Sequence, residues 1–178
     1  SKDADAIFIA EDTMTDARGL RNTIGIKALI DKYKFFEKPI VLMSQVPPGF
    51  CRRQNLPNLY HYPETLRIKD AWERAYKPDY IVIGCDDQAK EIPQAINVYA
   101  YSFSCTYLKM TYEEAEFSKI AVNTHLATQV DYANRMEAAA KKVGADWNMV
   151  KLALHLDKRI GEHAYLTPGR WQDSLHLL

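Results

Sequence analysis

Several absences bound this chain before any motif is considered. It has no net charge, since 23 Lys and Arg balance 23 Asp and Glu, so nothing marks nucleic acid or an anionic membrane as an electrostatic partner. No apolar run approaches the roughly 20 residues of a membrane span, and the opening SKDADAIF lacks the charge and apolar order of a signal peptide. Cysteine is scarce: Cys51, Cys85 and Cys105 are odd in number and show no C-x-x-C spacing, which argues against a disulfide framework or a structural metal and suits a reducing, cytoplasmic setting. Glycine is scarce too. Gly25, Gly49 and Gly84 stand isolated, no G-x-G-x-x-G follows a strand, and the glycine-rich cradle that holds a pyrophosphate at a helix N-terminus is therefore absent from these 178 residues.

What is present is organised around one stretch, Glu113 to Val143, which has no proline and is closed by Gly144. Apolar residues recur there at three- and four-residue steps (Phe117, Ile120, Ala127, Val130, Ala133, Met136, Ala140), so the spacing predicts one long helix. Thr111 with Glu114 forms a candidate capping box, and Gly144 a candidate C-cap. Glu116, Lys119 and Asn123 fall at i, i+3 and i+7, which puts a carboxylate, an ammonium and an amide on one stripe. From spacing alone the first two read as a surface ion pair worth a few tenths of a kcal/mol.

The first half alternates. AIFIA (6–10), PIVLMS (39–44) and YIVIG (80–84) are short apolar runs suited to buried parallel strands. Leu20 to Phe36, Ile68 to Tyr76 and Gln88 to Ala100 read as crossover helices, the last interrupted or delayed by Pro93, with a loop over 102–111. The expected fold is α/β: residues 1–105 form a partial Rossmann-like parallel sheet of three strands, and 106–178 an all-helical region with the long helix.

The string AEFSKIAVNTHLATQVDYANR, followed by VGADWNMV and LDKRIG, resembles the central segment of the UDP-glucose/GDP-mannose dehydrogenase family, whose pattern there is E-x-x-K-x-x-x-N, then G-A-D, then D-x-R-I-G. SQVPPG (44–49) is similar to the family's S-T-V-P-P-G, YPETLRIKDA (62–71) to P-E-F-L-R-E-G-x-A, and YKPDYIVIG to P-D-R-I-V-I-G. The resemblance implies NAD-dependent oxidation of a nucleotide sugar at C6, with UDP-glucose first among substrates and GDP-mannose or a UDP-N-acetylhexosamine as alternatives. It implies Glu64 as the carboxylate of acid/base or water-activating work, and Lys119 with Asn123 as the pair that stabilises the developing oxyanion. Arg159 is implied to reach a phosphate or sugar group of the substrate, with Leu66 also at the substrate; Thr13, Ser44, Gln45 and Glu64 are implied at the NAD. A homodimer through helix 113–143 is implied as well. Taken singly, Glu64, Asn123 and Arg159 are equally at home as a loop residue, a helix-surface amide and a solvated cation.

The departures from the pattern matter. Gln45 replaces a threonine, Ile68 replaces the second glutamate of P-E-F-L-x-E, and Glu11, Asp12 and Met14 replace small or apolar neighbours of Thr13. After LTPG (166–169) the chain reads RWQDSLHLL where the family has G-G-x-C-x-x-K-D, so no nucleophilic cysteine carries over. The chain is expected to be the middle of a longer enzyme, to form no NADH from UDP-glucose in isolation, and to need its AIFIA edge covered by a partner strand, a subunit or a segment of its own. A catalytically dead binding or assembly module that keeps the dimer helix is the competing reading.

Overall fold

Ile40, Val41 and Leu42 show how these residues make a sheet. Three consecutive apolar side chains alternate sides on an extended backbone. All three are fully buried, Ile40 and Leu42 in one core with Ile9, Ile26, Ile30, Phe50 and Leu59, and Val41 in the other with Ile81, Ile83 and Ile96. Each such burial is worth about 1.5–3 kcal/mol, and two cores on opposite faces require a layered α/β arrangement. The computed structural model describes residues 3–16, 18, 20–65 and 70–170. The chain divides into two units, one built from the segments up to residue 66 and Asp70–Ile120, the other chiefly from residue 121 onward.

The first unit holds a sheet ordered β1-β2-β3-β4-β5: β1 (Ile7–Ile9), β2 (Ile40–Leu42), β3 (Leu59–His61), β4 (Tyr80–Cys85) and β5 (Thr106–Thr111). β1, β2 and β3 run parallel, with Ile9 opposite Leu42 and Leu42 opposite His61. β4 and β5 are parallel over six residue pairs, whereas β3 meets β4 through a single antiparallel pair, His61 with Gly84. The sheet thus has five strands where the sequence suggests three. β3 is a three-residue LYH with a histidine in it, and β5, TYLKMT, occupies the expected loop. Among the described residues β1 ends the sheet, and its Phe8 ring packs on Tyr99 with centroids 4.9 Å apart.

Local chemistry sets the helix starts. The Asp16 carboxylate accepts from the Arg18 and Leu20 N–H groups and Thr15 bridges Arg21, so the chain is still turning at Leu20 and α1 begins only at Ile24 (Ile24–Tyr33). A short α2 (Phe50–Gln54) follows the Pro47–Pro48–Gly49 turn, α3 spans Ala71–Tyr76, and α4 (Gln94–Tyr101) starts directly after Pro93. The long α5 (Tyr112–Lys142) begins in the expected capping box: the Thr111 N–H donates to Glu114 Oε2 at 2.7 Å, and the Glu114 N–H to Thr111 Oγ1 at 3.3 Å.

The second unit takes α5 from Ala121 and adds α6 (Trp147–Leu156). Gly144, at φ +75°, turns the chain at the end of α5, with the Ala145 N–H donating back to Ala140 O at 2.9 Å, and Asp146 then caps α6 through the Asn148 N–H. Trp147 closes a small core with Ala133, Ala140 and Leu166, its indole N–H donating to Leu166 O at 3.1 Å. Among the described residues no helix is long and apolar enough to cross a membrane, and no group of three or more His, Cys, Asp or Glu is placed to hold a metal ion.

Candidate functional site

Because β1, β2 and β3 are parallel, the loops that follow them leave the same edge of the sheet, the edge where open α/β sheets bind ligands. Those loops carry Thr13, then Ser44 and Gln45, then Glu64. Thr13 is buried, and its hydroxyl donates to Gln45 O at 2.8 Å. Arg21, which the sequence reading passes over, joins the same two loops: Nη1 donates to Thr13 O and Thr13 Oγ1, both at 2.9 Å, and Nη2 to Gln45 Oε1 at 2.6 Å. No spacing rule flags this arginine, because its partners are 8 and 24 residues away. Ser44 Oγ is buried without a hydrogen-bond partner, a group that a polar ligand, water or a small shift of the loop would satisfy.

Lys119 comes from α5 and is half buried. Burial pulls its ammonium below the usual lysine range; Glu64 acts against this and the cationic Arg21 adds to it. The structure therefore brings Thr13, Arg21, Gln45, Glu64 and Lys119 into one polar region of the first unit. Arg21 is itself held below the usual arginine range by burial, with Asp12 opposing.

Glu116 departs from the surface-pair expectation. It is 1% exposed and turns away from Lys119 to accept the N–H groups of Gly49 and, at 2.7 Å, Cys51, at the start of α2. Burial pushes its carboxyl up from the usual range while these donors pull it down. A carboxylate at a helix N-terminus is electrostatically favoured, and here it pins the S-Q-V-P-P-G turn to the helix that carries Lys119. Cys51 lies beside Glu116, its thiol raised by burial first and by that carboxylate second, so it is no candidate thiolate.

The remaining expected residues lie in the second unit or outside the described residues. Asn123 is half buried in α5 within the second unit. Arg159, also in the second unit, is exposed and folded onto Asp157 of its own D-x-R-I-G stretch, with Nη2 to Oδ2 at 2.7 Å and Nε to Oδ1 at 3.0 Å. Leu66 and Ile68 lie outside the described residues.

The first unit is thus a layered, mostly parallel α/β sheet with a lysine of the long helix near the loops that follow its parallel strands. Residues 113–171 match the central domain of the UDP-glucose/GDP-mannose dehydrogenase family. The chain is 30% identical over 185 residues to the UDP-glucose 6-dehydrogenase of Rickettsia bellii, covering 94% of this chain and 41% of that one. It also matches the structure of a UDP-glucose dehydrogenase from Pyrobaculum islandicum with a TM-score of 0.79 at 31% identity, over 94% of this chain and 42% of the other. A GDP-mannose dehydrogenase from Pseudomonas aeruginosa shares the fold, with a TM-score of 0.75 at 24% identity. The chain belongs to the UDP-glucose/GDP-mannose dehydrogenase family, and it spans about two fifths of the length of the Rickettsia relative and of the two solved structures.

NAD is the cofactor the family implies, and the residues present fit part of it. The orphaned Ser44 hydroxyl and the Gln45 amide stand on a strand-end loop suited to a polar cofactor group. The Thr13 hydroxyl is already committed to Gln45 O and Arg21.

Proposed function

We propose that this chain supplies part of the hydride-transfer site of an NAD-dependent nucleotide-sugar 6-dehydrogenase, with UDP-glucose as substrate ahead of GDP-mannose and a UDP-N-acetylhexosamine. The observation that supports this best is the half-buried Lys119 standing within electrostatic reach of both Glu64 and Arg21, beside the loops of Thr13 and Gln45. NAD, when bound, would accept the hydride from C6 of the sugar. Ser44 and Gln45 would hold it, and the ammonium of Lys119 with the amide of Asn123 would stabilise the negative charge that grows on the C6 oxygen. Glu64 would carry the proton work and Arg159 would meet the nucleotide-sugar phosphate.

The reading is tested by NADH absorbance with protein that includes this chain, given NAD and in turn UDP-glucose, GDP-mannose and UDP-N-acetylmannosamine. Turnover is expected with UDP-glucose above the others, and none with any of the three would leave the binding-module reading. The same reading includes a homodimer through α5, favoured by apolar side chains left exposed along that helix, Val122 and Tyr132. Sedimentation velocity at tens of micromolar is expected to give the dimer, and a monodisperse monomer would remove this part.

A further inference from the structure

Arg21 does more than tie two loops together, because a guanidinium has hydrogen-bond donors and no acceptor. The Gln45 side-chain atom that faces Arg21 Nη2 at 2.6 Å must therefore be the amide oxygen, which selects one of the two amide orientations on chemical grounds. The Gln45 NH2 group is left pointing elsewhere, with no hydrogen-bond partner among the described residues. Thr13 cannot serve in its place: its proton goes to Gln45 O at 2.8 Å and its oxygen receives Arg21 Nη1 at 2.9 Å. Lys119 likewise offers only donors. The polar region around Gln45 is thus poor in free acceptors on these side chains and carries two cations, Arg21 and Lys119, beside Glu64.

We infer that Arg21 is a positioning residue that locks Gln45 as a hydrogen-bond donor to a carbonyl or phosphoryl oxygen of the bound ligand. This deepens the reading of the site given above and rests on it for the two ligands that present such an oxygen, NAD and the nucleotide sugar. It also gives the glutamine a reason to stand where the family pattern that SQVPPG resembles has threonine. A threonine hydroxyl rotates and can donate or accept, whereas a glutamine clamped at its oxygen can only donate.

The test follows the side-chain amide resonances of the isotope-labelled chain, with the Gln45 pair assigned by its loss in Gln45→Glu. NAD and UDP-glucose are titrated separately into the millimolar range, where weak binding still moves resonances. One of the two ligands is expected to shift the Gln45 amide protons downfield, and which one does so assigns the oxygen to the cofactor or to the substrate. Arg21→Met is expected to abolish that shift, and Arg21→Lys, which keeps the charge but not the fork, to lose most of it in a folded protein. Gln45→Glu keeps the partner of Arg21 as an ion pair and removes the donors, so ligand affinity should fall at least about tenfold with no drop in melting temperature. Gln45 protons unmoved by both ligands, an undiminished shift in Arg21→Lys, or unchanged affinity in Gln45→Glu would each overturn the inference. None of these readouts needs turnover, so their failure is separable from failure of the NADH assay.

Discussion

Lys119→Ala, in an active protein that includes this chain, is expected to lower kcat by a factor of about 10²–10³, the usual cost of removing one donor aimed at developing negative charge. The expected loss lies in kcat more than in KM, because the ammonium is asked to interact with charge that exists fully only in the transition state. The pH profile supplies a second readout. Burial first, and Arg21 as a further cause, hold the Lys119 pKa below the ordinary lysine value, while Glu64 holds it up. If the protonated amine stabilises the oxyanion, activity declines as pH rises through that lowered pKa, and the decline should begin at lower pH than an exposed lysine would allow. Lys119→Arg keeps a positive charge but removes this titration, so a residual activity without that alkaline limb is the expected signature. An unchanged kcat in Lys119→Ala would exclude the lysine from the chemistry and leave it a structural cation beside Glu64.

The parts of this molecule that were legible in the sequence are those whose causes are local. α5 was readable end to end, because the capping box of Thr111 and Glu114, the apolar period and the αL turn at Gly144 are each decided within five residues or so. The same holds for the start of α4 after Pro93. β3 and β5 were not readable, for different reasons. The LYH strand is short and contains His61, a polar side chain that is nonetheless 1% exposed because its Nδ1–H donates to Leu42 O at 3.0 Å across the neighbouring strand. Burial pulls that imidazole down to about 4, so it is neutral and sits among apolar groups. β5 is a half-exposed strand with Lys109 in its middle, and only its pairing with β4 defines it. At the site, resemblance alone points to Lys119 and Glu64, and the role of Glu116 is not a local one. Three-residue spacing suggested a pair with Lys119, and the carboxylate instead answers two backbone N–H groups 65 and 67 residues away. Arg21 was invisible for the same non-local reason.

Gly84→Ala is expected to destabilise the first unit by about 3 kcal/mol, the upper part of the range for overpacking a filled core. The backbone conformation is not the cause, since Gly84 lies in a regular strand. The cause is space: a Cβ at this position would stand 2.6 Å from the Cβ of Ala115, 3.3 Å from the Cβ of His61 and 3.3 Å from Thr111 O. None of these can swing aside, because Ala115 is fully buried at the end of the first turn of α5 and the other two belong to neighbouring strands. The closeness of strand and helix here bears on the site, for Ala115 precedes Glu116 and lies one turn before Lys119, so this contact fixes where the start of α5 rests on the sheet. The decisive measurement is a double-mutant cycle in urea. Ala115→Gly alone should cost about 1 kcal/mol, the usual helix penalty for glycine. Gly84→Ala combined with Ala115→Gly moves the methyl group from helix to strand and relieves the shortest contact, leaving the two at 3.3 Å. The double variant should therefore be more stable than Gly84→Ala alone, with a coupling energy of about 1–3 kcal/mol in the favourable direction. Additive losses would mean that the strand and helix have room to separate, and that the contact does not set the position of Lys119.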